Sequence, residues 1–110
     1  MSYDLSLIAR TVKAALRKRP QARLRDISRQ LAVDPHTAEK ALRVCGGCGF
    51  RVLRRRALLR SAGYLLRTVP PLSIKQVAAS LGYSSSRAFS RFVLTTLGKT
   101  PSQLRAIGRK

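Results

Sequence analysis

Apolar positions recur at helical spacing along most of the chain, and the stripes break at proline, glycine or a capping residue. From Asp4 to Arg19, Leu5, Ile8, Ala9, Val12, Ala15 and Leu16 keep one face apolar, and Pro20 ends the pattern. From Arg23 to Leu31, Leu24, Ile27 and Leu31 turn inward while Arg25 and Arg29 turn outward. After Ala32 and Val33, Asp34 offers a side-chain cap, and Pro35 suits a first helical position, where its missing N–H removes nothing. Ala38, Ala41, Leu42 and Cys45 then form a stripe at i, i+3, i+4 and i+7, leaving His36, Glu39, Lys40 and Arg43 on the polar side. Phe50 to Arg67, without proline, predicts a long helix with Leu53, Ala57, Leu58, Ala62, Leu65 and Leu66 apolar and Arg51, Arg54, Arg55 and Arg60 around them.

The second half repeats the scheme. Pro70 and Pro71 stop the preceding helix, and Ile74, Val77, Ala78 and Leu81 make a stripe that Ser73 caps, with Gln76 placed to reach back. Gly82 supplies a positive φ for a sharp turn, and a new helix starts in the Ser84 to Ser86 run. There Phe89, Phe92 and Val93 are the expected buried face, with Ser86, Arg87, Ser90 and Arg91 opposite. Thr100, Pro101 and Gln103 spell a cap, a first-turn proline and a capping box for a last helix packed through Leu104 and Ile107, followed by a basic tail, Gly108 to Lys110.

Two short helices around a glycine turn, the second with arginines at i and i+4, describe a helix-turn-helix that reads the major groove. Arginine suits this because its fork bridges O6 and N7 of guanine, so Arg87 and Arg91 are the expected base readers. Residues 23 to 45 read as a second, less typical copy. The helix between them would span roughly 27 Å at the rise of an α-helix, comparable with the ~34 Å between successive major-groove faces.

Composition narrows the partner. The 110 residues suffice for one compact domain with a modest core, and the net charge is +19. The only acids are Asp4, Asp26, Asp34 and Glu39, so Phe50 to Lys110 holds no carboxylate side chain. Such a chain suits a polyanion, and double-stranded DNA is the expected partner. A membrane surface fits less well, because the apolar faces are short and interrupted. Without an apolar run of spanning length or a signal peptide, a cytoplasmic protein is expected. Cys45 and Cys48 bracket two glycines; His36 lies about two and a half helical turns from Cys45, so no metal site and no cofactor are expected. Packing in a glycine-rich turn and a redox switch both remain open for the pair. Without a carboxylate pair, a spare histidine or an activated nucleophile, the chain is not expected to be an enzyme.

The Ile74 to Leu81 helix, the Gly82-Tyr83-Ser84 turn, Phe89-Ser90-Arg91, and Gly98-x-Thr100-Pro101 resemble, in that order, the second helix-turn-helix of the AraC/XylS family of transcription regulators. Residues 23 to 47 resemble its first motif, and FRVLRRRALLRSAGYLL is similar to its linking helix, with Leu58 where the family often has arginine. The resemblance implies an all-α, seven-helix unit with two homeodomain-like helix-turn-helix motifs joined by a long central helix. Residues 4–48 would form the packing helix and first motif, 50–67 the linker, and 73–110 the second motif and closing helix, all within a single domain, 1–110. By the same resemblance His36, Glu39 and Lys40 face bases, beside Ser86, Arg87, Ser90 and Arg91. Glu39 could alternatively pair with Arg43, four residues on. Arg43, Arg54, Arg55, Arg56, Ser73 and Ser85 are the expected contacts to the DNA backbone. The stand-alone members imply a monomer on an asymmetric site that recruits RNA polymerase as an activator. A non-specific architectural DNA-binding protein, or a DNA-binding fragment of a larger regulator or DNA-repair enzyme, are the alternatives.

Overall fold

Side chains that satisfy orphan N–H groups set where most of the helices begin. The computed structural model describes residues 4–107. Among them are seven α-helices: α1 Leu5–Lys18, α2 Leu24–Leu31, α3 Pro35–Gly46, α4 Phe50–Leu66, α5 Ile74–Ser80, α6 Ser86–Leu97 and α7 Pro101–Ile107. No strand occurs among the described residues, and the expected basic tail, Gly108 to Lys110, lies outside them. Asp4 accepts from Leu7 N–H at 3.1 Å, Asp34 from His36 N–H at 2.7 Å, and Ser85 from Ala88 N–H at 3.1 Å. Ser73 and Gln76 exchange bonds of 2.8 and 3.0 Å as a capping box, and Thr100 and Gln103 do the same at 2.8 and 3.2 Å.

The chain divides into two compact units, Met1–Ala57 and Leu58–Lys110, with the division inside α4. In the first unit α1, α2, α3 and the start of α4 enclose Ile8, Val12, Leu16, Ile27, Ala38, Leu42 and Phe50. In the second, the rest of α4 with α5, α6 and α7 encloses Leu58, Leu66, Val77, Leu81, Phe89 and Val93, with Leu104 packed against them. Leu58, at the position where the resemblance leads one to expect arginine, is only 2% exposed and is therefore a core residue here. Tyr83, in the α5–α6 turn, packs its ring 5.5 Å from that of Phe89 and 5.8 Å from that of Phe92.

Each unit also carries an arginine folded onto its own loop. Arg54 donates through Nε to Ala22 O and through Nη2 to Gln21 O, both at 3.1 Å. Arg105 donates through Nε to Leu66 O at 3.1 Å and through Nη2 to Leu72 O. Carbonyls at helix ends and in loops lack backbone partners, and a two-pronged cation satisfies two at once.

Two expected packing positions differ. Cys45 is exposed, because the α3 stripe ends with Leu42 and Cys45 lies in the final turn before Gly47 closes the helix. Ile107, the last residue of α7, is 49% exposed.

The two helix-turn-helix bends differ in backbone cost. Gly82 takes φ 85° in the second, whereas Ala32 takes φ 56° in the first, where a Cβ is crowded. Ala32→Gly should therefore raise stability by about 0.5 to 1 kcal/mol, read as a higher urea midpoint at unchanged slope. A lower midpoint would show that Ala32 sits there without strain.

Candidate nucleic-acid interface

The α6 face is built outward from the core. Phe89 and Val93 are fully buried, which turns Arg87 and Arg91 to solvent, with Ser86 and Ser90 half-buried beside them. Ser85 and Ser73 are exposed at the starts of α6 and α5. Each hydroxyl oxygen already accepts a backbone N–H, which leaves its own O–H to donate to a phosphate oxygen. With no carboxylate side chain from residue 50 onward, no acidic side chain in this unit neutralises these guanidiniums.

In α3 the fully buried Ala38 takes the place that Phe89 has in α6. Counted from these two, His36, Glu39 and Lys40 stand where Arg87, Ser90 and Arg91 stand in the second motif. His36 and Lys40 are exposed. Glu39 is not presented in the same way: Oε1 accepts from Arg43 Nε at 3.2 Å, and Oε2 accepts from Phe50 N–H at 3.2 Å. The Glu39–Arg43 contact is the one ion pair among the described residues.

The arginines of α4 separate into two groups. Arg55 and Arg56 are exposed, as are Arg51 and Arg60, while Arg54 is half-buried with its fork on Gln21 and Ala22. Arg56 Nη1 lies 4.0 Å from the Sγ of Cys48. Cys45 and Cys48 are free thiols, and no group of three or more His, Cys, Asp or Glu suited to a metal ion occurs among the described residues. No helix among them is long and apolar enough to cross a membrane.

The periodic pattern does not single out Arg105, which holds the end of α4 and the loop after it. The one hint in the sequence is a basic residue in the last turn of a short helix whose other face is apolar.

Residues 27–107 match a family model described as a helix-turn-helix domain. The chain is 34% identical over 107 residues to the HTH-type transcriptional regulator VirS of Mycobacterium tuberculosis. That match takes in 96% of this chain and 31% of VirS, so the chain spans about a third of the curated relatives it matches. In fold it is similar to the C-terminal domain of AraT, a response regulator from Geobacillus stearothermophilus, with a TM-score of 0.81 at 24% identity, over 96% of this chain and 88% of that one. A transcriptional regulator with an AraC-type DNA-binding domain from Chromobacterium violaceum gives 0.80 at 20% identity, over 94% of each chain. A DNA-binding transcriptional dual regulator from Escherichia coli K-12 gives 0.76 at 23%, over 92% and 91%.

The two arginine environments predict different phenotypes. Arg54→Ala should lower the stability of the free protein by about 1.5 to 3 kcal/mol, because two carbonyls lose a charged donor. Arg55→Ala should leave unfolding within about 0.5 kcal/mol, yet weaken binding to every duplex and reduce the salt slope by about 1. Chemical denaturation and salt-dependent binding of both variants separate the roles; equal stability losses would contradict the assignment.

Proposed function

This chain belongs to the AraC/XylS-type helix-turn-helix family of DNA-binding transcription regulators, and from that premise we propose that it reads a specific double-stranded site across two successive major grooves, with transcription activation as the outcome. The observation that carries the reading is the α6 face, where Arg87 and Arg91 stand exposed above a fully buried Phe89 in a unit without acidic side chains. Their forks match guanine edges, and Ser86 and Ser90 add shorter-range donors and acceptors. His36 and Lys40 take the corresponding places on α3 and read the other block.

Phosphate contacts fix register without reading sequence, and Arg43, Arg55, Arg56, Ser73 and Ser85 supply them in this proposal. Arg54 would reach a phosphate only by giving up its two loop carbonyls. Because the two motifs present different side chains, the site is asymmetric, and one copy of the chain carries both readers. Activation then follows from a contact between the bound chain and RNA polymerase.

Arg91→Ala should cost about 1 to 3 kcal/mol on the specific site and relax preference at one base pair, with little change on random duplex. Competitive binding of wild type and variant to both duplexes measures this. Equal losses on the two would replace base reading with sequence-independent coating.

A further inference from the structure

We propose that Glu39, although it stands in the base-reading row of α3, is a positioning residue that starts α4 and leaves the first half-site to His36 and Lys40. The inference rests on the DNA-reading proposal for what α3 does, and on the free protein alone for what Glu39 does.

Four observations converge on it. First, α4 has no capping side chain of its own. The residue before it is Gly49, whose carbonyl accepts from Leu53 N–H at 3.2 Å and so takes the cap position. Second, the missing acceptor comes from another helix: Glu39 Oε2 takes the Phe50 N–H, eleven residues on, and Arg43 holds Oε1. A carboxylate there also meets the positive end of the helix dipole. Third, the glycine is what lets the carboxylate in. A Cβ on Gly49 would collide with Glu39 Oε1 and lie 3.0 Å from Arg43 Nη2.

The fourth is the placement of the other acids. Asp4 caps α1, Asp34 caps α3, and Asp26 lies in the first turn of α2. With Glu39 at the start of α4, every carboxylate side chain of the protein serves a helix N-terminus. Reading a cytosine amino group would require Glu39 to leave both partners and to approach the phosphates as an anion. Phe50 is itself a core residue, so the Glu39 bond also sets how α4 enters the first unit against α3.

The test uses the full chain and the duplex that it enriches from a random pool, with Glu39→Ala, Glu39→Gln and Gly49→Ala as variants. Two readouts are taken. In unfolding of the free protein, Glu39→Ala should lower the midpoint by about 4 to 8 °C, as expected for a lost cap in a unit of this size. Gly49→Ala, which displaces the carboxylate, should do the same. Glu39→Gln keeps an acceptor for Phe50 N–H and should recover most of the loss.

In binding, measured well below the variants' midpoints, Glu39→Ala should lose roughly three- to tenfold on duplexes carrying the block that His36 and Lys40 read. It should lose almost nothing where that block is randomised, and the selected base at every position should stay the same. A changed base preference at any position overturns the proposal, as does an unchanged unfolding midpoint. If the wild type enriches no duplex at all, the DNA-reading proposal fails, and the unfolding series with its glutamine rescue still decides the role of Glu39.

Discussion

One helix has to complete two cores. The first half of α4 supplies Phe50 and Ala57 to one unit, and the second half supplies Leu58, Ala62 and Leu66 to the other. A helix under that demand cannot slide or fray at either end without exposing apolar surface, and Phe50, Leu58 and Leu66 are each worth about 1.5 to 3 kcal/mol when buried. Its ends are fixed accordingly. Glu39 holds the first N–H, Arg54 ties the first half to the α1–α2 loop, and Arg105 takes the Leu66 carbonyl at the last turn. The helices α3 and α6, proposed to read the DNA, are in turn seated on the cores that α4 completes.

A chain of net charge +19 meets a second constraint, since every acid placed on the working face weakens attraction to phosphate. The four acids are confined to helix starts, where the dipole and the orphan N–H groups favour them. In the second unit even that use disappears: Ser73, Ser85 and Thr100 cap its helices with neutral hydroxyls. Hydroxyl caps satisfy the same donors without adding negative charge, and they can still donate to a phosphate. Capping chemistry and partner chemistry therefore point the same way.

Local patterns made most of this architecture legible. The stripes of Ile8, Val12 and Leu16, of Val77 and Leu81, and of Phe89 and Val93 lie where the periodicity predicts, and Asp34, Ser73 and Thr100 cap as their spacing predicts. What escaped was long-range and polar. Glu39 to Phe50 spans eleven residues, and Arg54 reaches back to Gln21 and Ala22 across more than thirty. Nothing in helical periodicity encodes such pairs; they follow only once α3, α4 and the α1–α2 loop are packed. Cys45 and Ile107 mark the opposite limit, where a stripe continues in sequence into a last helical turn that is exposed. Of the expected readers, Arg87, Arg91, His36 and Lys40 were legible as an exposed face, whereas the second engagement of Glu39 was not.

In the proposed function, one chain reads two blocks of sequence with two unlike helices. Selection of bound duplexes from a random pool at physiological salt tests it most directly. The expected result is one asymmetric site with two short enriched blocks, their centres about 10 to 10.5 base pairs apart. A single block, a palindrome, or no enrichment over random duplex would contradict it.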